Sequence, residues 1–281
     1  MRIVVTGVGG GVGAALREAM PGRHEAVMLA HAELPVEDRH AVLQRIGAAS
    51  PEVIVHLAAM TGVDACERDP DAAYRVNALG SANVALAARE TGALLLALST
   101  DYVFDGTKGA AYHEYDPPAP VNVYGASKLA GEEEIRTLAP EHLVVRTSWV
   151  FGAGADFVTA SVRRLAAGEE AGAIVDLHGT PTYVRHLAER LLPLAVSGLR
   201  GVAHLGGPER TTFFDLLDRA RRRGDLPGTL AEQKSEDLDR PAPRPADASL
   251  TSLVLPGATV PPMPPLDEGL DDLLGRIRGG R

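Results

Sequence analysis

The octapeptide TGVGGGVG at residues 6–13 constrains the fold more than any other stretch of the chain, because of what stands on either side of it. It emerges from the short β-prone run RIVVT and opens a segment with helical spacing, and its glycines at 7, 10 and 13 fit G-x-x-G-x-x-G. Glycine there permits a tight turn with positive φ, a close approach of backbone to a pyrophosphate, and tight helix–strand packing. The helix N-terminus adds unpaired N–H groups that suit an anion. In this strand–turn–helix setting the motif points to dinucleotide binding rather than to a merely flexible turn, with Gly7, Gly10, Gly11, Val12 and Gly13 as the contacting positions.

The alternation continues. Short apolar runs at 2–6, 26–29, 53–57, 94–99 and 143–147 are separated by segments of helical spacing at 13–19, 39–46, 72–91 and 124–138. Strands that read as continuous apolar runs belong in a parallel sheet covered on both faces. The expected fold class is therefore α/β: a Rossmann-type doubly wound parallel sheet with a smaller C-terminal substrate-binding lobe. Residues 1–150 form the dinucleotide-binding part, with 174–204 expected to return to it, while 151–173 and 205–281 build the lobe. The proline-rich stretch 227–265 lacks periodicity and reads as loop wrapped on that lobe, and the closing GGR reads as a frayed end.

The formal net charge of −9 opposes a nucleic-acid or anionic-membrane surface, so an anionic substrate would need local arginines. The single cysteine, Cys66, excludes an intrachain disulfide and a cysteine metal cluster, which suits a reducing, cytoplasmic setting. No basic segment leads into a long apolar stretch at the start, and the longest apolar run, 93–98, is too short to cross a bilayer.

The second expected strand ends Leu29-Ala30-His31, without the carboxylate that would accept from an adenosine ribose and repel a 2′-phosphate. That favours NADPH, with NADH as the alternative. His31, Arg17 and Arg39 are the cations able to face a 2′-phosphate, and a plain solvated role fits His31 and Arg39 equally well.

Only three of the 28 basic residues are lysines, and one of them, Lys128, follows Tyr124 by four positions in VYGASKLAGE. On a helix the two share a face. An ammonium beside the phenol is expected to lower its pKa toward neutrality, making Tyr124 a proton donor to a carbonyl that receives a hydride, and to hold a nicotinamide ribose. Such a spacing also arises by chance, so its weight comes from the glycine loop upstream.

With these motifs in hand, the chain resembles the extended short-chain dehydrogenase/reductases, and within them the dTDP-4-dehydrorhamnose reductase family. The likeness rests on TGVGGGVG, HLAAMTGVDACERDP (56–70), NALGSANVALAA (77–88), STDYVFDG (99–106), YHEYDPPAPVNVYGASKLAGE (112–132), RTSWVFG (146–152), GTPTY (179–183) and RPADASL (244–250). The resemblance implies a catalytic set of Thr100, Tyr124 and Lys128, with Thr100 bonding the substrate carbonyl. It implies cofactor contacts from Ala58, Ala59, Met60, Asn77 and Ser99, and a sugar pocket lined by Tyr102 and Trp149. For Asn77 a buried helix-stabilising role is equally open, and Trp149 taken alone would more often be core. The implied reaction is NADPH-dependent reduction of a 4-keto group on a nucleotide-activated deoxysugar, most simply dTDP-4-dehydrorhamnose.

Three further readings stay open: a reductase of another keto-sugar or aminoglycoside intermediate in a tailoring pathway, a sugar-nucleotide epimerase, and an NADP-binding regulatory subunit. No distinct acid cluster commits the chain to the Mg-bridged dimer of some relatives. Mg is thus undecided, no metal ligand is assigned, and a homodimer stays open as the assembly.

Overall fold

In the computed structural model, which describes residues 1–20, 22 and 24–280, the run RIVVT becomes strand β1 (Arg2–Thr6), buried from Ile3 onward. The glycine loop turns it into helix α1 (Gly11–Ala19), and β2 (Glu25–Leu29), α2 (Arg39–Ala49) and β3 (Val53–His56) complete two β–α–β units. Asp38 starts α2 by accepting from the Ala41 N–H at 3.0 Å, a side-chain N-cap. Two short helices, α3 (Val63–Arg68) and α4 (Pro70–Tyr74), lead through a wider π-helical turn at Arg75–Leu79 into α5 (Gly80–Thr91). Then come β4 (Leu94–Thr100), α6 (Val123–Leu138) and β5 (His142–Thr147).

Beyond β5 the elements shorten: β6 (Val150–Phe151), α7 (Phe157–Ala166), β7 (Ala171–Ile174), β8 (His178–Gly179) and β9 (Thr182–Tyr183). α8 (Val184–Val196) and β10 (Gly201–His204) follow, then β11 (Thr211–Thr212), α9 (Phe213–Gly224), β12 (Leu230–Gln233) and α10 (Leu266–Arg278). The main sheet has six strands in the order β10-β5-β4-β3-β1-β2, every pair parallel. The chain steps outward from β1 to β2, then returns across β1 to β3, which puts the switch point at the C-terminal ends of β1 and β3. Open α/β sheets take their ligands in the crevice at such a point.

Both faces of the sheet are covered, which makes it doubly wound. One apolar cluster joins Val4, Ile54, Leu95 and Val144 to α2, α5 and α6. The other runs from Ile3, Val5, Val55, Leu96 and Val145 through α8 to Leu165, Leu217 and Leu270, so the C-terminal elements share a continuous core with the sheet. β6 pairs with β9, β7 with β12 and β8 with β11, three two-stranded ladders outside the main sheet. Among the described residues no helix is long and apolar enough to cross a membrane.

The structure departs from the sequence expectation in three places. The single helix expected over 72–91 is three pieces, broken by the π turn that carries Asn77. The stretch 227–265 is mostly irregular but contributes β12. α10 was not anticipated, although Leu266, Leu270, Leu273, Leu274 and Ile277 carry the helical period in full. Gly279 and Gly280 close that helix, and Arg281, last of the GGR end, lies outside the described residues.

Candidate active site

The C-terminal ends of β1, β3, β4 and β5 open into one cleft of about 800 Å³, and most of the residues singled out from sequence line it. Gly7, Gly10, Gly11, Val12 and Gly13 form one end, Ala58, Ala59 and Met60 the wall after β3, and Ser99, Thr100 and Tyr102 the end of β4. Tyr124 and Lys128 project from α6, and Trp149 follows β5. Side chains far apart in the chain converge because parallel strands all end on the same edge.

The glycine end fits a dinucleotide phosphate. Gly7 has φ +75°, and a Cβ there would fall 2.4 Å from the Ala58 nitrogen, so only glycine permits the turn. Helix α1 is capped at Gly10 by no side chain, which leaves its first N–H groups free for a ligand in the cleft that Gly10, Gly11, Val12 and Gly13 line. Of the three cations considered for a 2′-phosphate, His31 lines the cleft. Arg39 lines a separate depression beside Tyr74 and Glu134, and Arg17 is not among the cleft residues. The nearest acid to the end of β2, Glu33, accepts from the Ala30 N–H at 2.9 Å and closes its own turn.

Helix α6 delivers the reactive pair. Asn122 caps it by accepting from the Gly125 N–H at 2.9 Å, while its amide donates to the Pro243 carbonyl at 2.9 Å, tying the helix start to the C-terminal loop. A Cβ at Gly125 would lie 2.0 Å from the Tyr102 carbonyl oxygen, so this glycine lets α6 approach the turn after β4. The Tyr102 and Tyr124 rings then meet edge to face, with centroids 5.6 Å apart. One turn on, Lys128 is 6% exposed and donates to the Leu98 carbonyl at 2.9 Å.

The expected lowering of the Tyr124 pKa is not what this geometry produces. Burial drives the phenol above its ordinary value, opposed chiefly by the Thr100 hydroxyl beside it. Lys128 is itself pushed down to about 8 by burial, against the pull of Glu132. Tyr124 therefore keeps its proton throughout the neutral range, as a donor must.

Asn77 stands one layer behind the cleft, fully buried, rather than on its wall. Its oxygen accepts from the Met60 N–H at 2.8 Å, and its amide donates to the Met60 carbonyl at 3.0 Å and to Ser127 Oγ at 2.9 Å. It thus clamps the 58–60 wall to the residue preceding Lys128, and the π turn aims it there. A polar chain continues behind it. Ser81 Oγ donates to the Asn77 carbonyl at 2.6 Å, His56 Nε2 lies 3.3 Å from Ser81 Oγ, and Thr6 Oγ1 lies 2.7 Å from His56 Nδ1. Burial and the nearby Lys128 push His56 down to about 3, so the link stays neutral. Asn77→Ala would strip the half-buried Met60 amide of its partner and leave the Met60 carbonyl only the weak Cys66 Sγ donor at 3.5 Å. It is expected to lower the unfolding free energy by about 2–3 kcal/mol in a urea titration. A loss below about 0.5 kcal/mol would show that the clamp is not needed.

Ser99 lines the cleft, but its hydroxyl turns inward and donates to Glu132 Oε1 at 2.5 Å. The side chain expected to contact cofactor is already committed to the core. Trp149 lies stacked on Phe213, with centroids 3.7 Å apart and planes 5° from parallel, and Phe157 meets Phe213 edge-on at 5.1 Å. A Cβ at Gly179 would lie 2.4 Å from the indole, so the tryptophan is sandwiched, at φ +42°. Phe157 and Phe213 escaped the sequence reading because neither sits in a motif and lobe packing alone brings them together. Asp101 escaped it too, although it lies within STDYVFDG. Among the described residues no group of three His, Cys, Asp or Glu side chains is placed to hold a metal ion.

A parallel sheet with a glycine-rich phosphate turn at its switch point, and a Tyr–Lys pair on the helix beside it, defines the short-chain dehydrogenase/reductase class in its extended form. The chain belongs to the family described as RmlD substrate binding domain, which matches residues 1–278. It is 36% identical over 288 aligned positions to dTDP-4-dehydrorhamnose reductase of Mycolicibacterium smegmatis, covering 99% of this chain and 86% of that protein. It is 40% identical over 262 positions to the enzyme of that name from Mycobacterium tuberculosis, covering 89% and 85%. The crystal structure of dTDP-4-dehydrorhamnose reductase from Bacillus anthracis in complex with NADP superimposes with a TM-score of 0.94 at 31% identity, covering 98% of this chain and 99% of that one. UDP-glucose 4-epimerase of Thermus thermophilus, at 23% identity and a TM-score of 0.83, shares the fold.

Proposed function

We propose that this chain reduces the 4-keto group of a nucleotide-activated deoxysugar, with dTDP-4-dehydrorhamnose as substrate and NADPH as the source of hydride. The observation that carries the proposal is the meeting of Thr100, Tyr124 and Lys128 in the cleft that also holds the phosphate-binding glycines. The names of the relatives and the NADP in the Bacillus anthracis structure support it.

The glycine turn, the 58–60 wall and Lys128 would hold the cofactor, whose reduced nicotinamide supplies the hydride when bound. Tyr124 gives its proton to the carbonyl oxygen as negative charge gathers there, and Thr100 orients that oxygen. Lys128 stabilises the phenolate left behind, a role suited to a compact ammonium with freely directed donors. Tyr102 and the Trp149–Phe213 stack take the sugar side. Residues 151–173 and 205–281 supply the selecting lobe, and Arg244, held by Asp64 at 2.9 Å, faces Tyr102 together with Arg240 to meet the charge of a nucleotide diphosphate. We place the reaction in the cytoplasm.

The test is to follow the ultraviolet absorbance of the reduced nicotinamide with dTDP-4-dehydrorhamnose, offering NADPH and NADH in turn. Substrate-dependent loss, faster with NADPH and yielding one reduced sugar per cofactor, is the expected result. Tight NADPH binding without consumption would sink the proposal.

A further inference from the structure

Directly after Thr100 stands a carboxylate that the mechanism above does not use. Asp101 is 2% exposed, borders the cleft, and forms no ion pair among the described residues. Its partners are hydroxyls. Thr100 Oγ1 donates to Oδ1 at 3.0 Å and Ser148 Oγ donates to Oδ2 at 2.7 Å, with Ser148 fixed in turn by the Thr180 N–H at 3.2 Å. The register that pairs Thr100 with Thr147 across β4 and β5 brings Ser148 to this position.

The arrangement creates a conflict in hydrogen-bond direction. Thr100 has one proton, and its oxygen already accepts from the Tyr102 N–H at 3.2 Å. While Asp101 is ionised, that proton points at Asp101 and cannot be offered to a carbonyl oxygen. If Asp101 carries a proton, the bond reverses and the threonine proton is released toward Tyr124 and the substrate.

We propose that Asp101 in its acid form is a positioning residue for Thr100 and the proton reserve that restores Tyr124 after each turnover. The proposal rests on the functional reading given above. The transfers balance without a co-reactant: the Tyr124 O–H breaks and its proton goes to the alkoxide, and the Thr100 proton passes to the Tyr124 oxygen. The Asp101 carboxyl proton passes to the Thr100 oxygen, and the resulting carboxylate is reprotonated through the cleft by the one hydronium-equivalent proton that the net reduction draws from bulk solvent. No electrons move in these steps.

Burial raises the Asp101 pKa to about 7, opposed by the Ser148 and Thr100 hydroxyls and by the backbone N–H groups of Asp101 and Tyr102. The ionisable groups around it are Tyr102 on its own turn and Tyr124 from α6, both of which sense its charge. Cys66 of α3 faces Tyr124, Arg240 and Arg244 of the C-terminal loop face Tyr102, and Lys128 faces Glu132. The acid form therefore predominates on the acid side of neutrality.

Two readouts test this on Asp101→Asn, which keeps the size and mimics the acid form, its amide nitrogen donating to Thr100 and its oxygen accepting from Ser148, but holds no transferable proton. In steady state the wild type is expected to lose activity as pH rises through about 7. The variant is expected to turn over about tenfold more slowly and to lack that limb, retaining only the later fall set by Lys128. The second readout needs no substrate. The folded carboxyl holds a proton that the unfolded one, with its ordinary pKa of 3.8, has released, so its stabilising contribution is full below about pH 4 and is lost as pH rises through about 7. The wild-type Tm is therefore expected to fall relative to that of Asp101→Asn between pH 5 and pH 8. A Tm difference independent of pH, or a variant that keeps the limb near 7, overturns the proposal. Should Asp101→Asn fail to fold, Ser148→Ala removes one hydrogen bond to the carboxylate and is expected to move the limb to higher pH, and an unmoved limb overturns the proposal equally. Because the Tm comparison uses no sugar, a wrong substrate assignment and a wrong role for Asp101 give different results.

Discussion

Tyr124→Phe is expected to lower kcat for NADPH-dependent ketone reduction by about 10²–10⁴-fold, the range for loss of a positioned general acid. The variant removes one oxygen and leaves the ring, so the edge-to-face contact with Tyr102 at 5.6 Å and the packing of α6 persist. NADPH affinity, measured by fluorescence titration, is expected to stay within about threefold of the wild type, since the glycine turn, the 58–60 wall and Lys128 are untouched. A fall in affinity that matched the fall in kcat would mean that the phenol serves binding rather than proton transfer. The raised pKa of Tyr124 strengthens the expectation. A phenol that stays protonated through neutral pH has a proton to give, and the cost of the phenolate is met in the transition state by groups already in place. On the alkaline side, loss of the Lys128 proton near pH 8 removes one of those groups, so wild-type activity is expected to decline there.

What could be seen in the sequence was local or periodic. The strand runs, the glycine turn and the four-residue step from Tyr124 to Lys128 are visible because each needs only neighbours in the chain, and parallel strand ends carry them to one cleft. What stayed hidden depends on register or burial. Asp101 and Ser148 are 47 residues apart, and nothing short of the β4–β5 pairing places them together. The π turn adds one residue per turn to a helix whose apolar spacing looked continuous, and that shift is what swings Asn77 behind Met60. The direction of the Tyr124 pKa is not legible in the sequence, because a helical wheel displays the ammonium one turn away but not the depth at which the phenol is buried. Helix α10 is a different case. Its leucines carry the helical period, but they follow directly on a proline-rich stretch that has none.

The largest structural effect is expected at a pair just behind the site. Glu132 of α6 and Arg146 of β5 are 7% and 4% exposed and meet in a bidentate bridge, with Nε 3.0 Å from Oε1 and Nη2 2.6 Å from Oε2. Ser99 donates to the same carboxylate, and the guanidinium lies 5.2 Å from the centre of the Phe104 ring. A buried ion pair of this kind adds little net stability, since desolvating both ions cancels most of the attraction, but breaking it from one side leaves a charge without a partner. Glu132→Leu is therefore expected to cost about 3–5 kcal/mol in urea unfolding. Adding Arg146→Met to it is expected to recover most of that loss, because the second change removes the stranded charge. The paired variant should nevertheless remain functionally altered. Glu132 is the group that holds the Lys128 pKa up against burial, so its removal lowers that pKa further and moves the alkaline decline in activity to lower pH. Stability restored together with a displaced pH profile would separate the two roles of Glu132, anchoring β5 to α6 and keeping the catalytic lysine charged. Restored stability with an unshifted profile would confine it to the first.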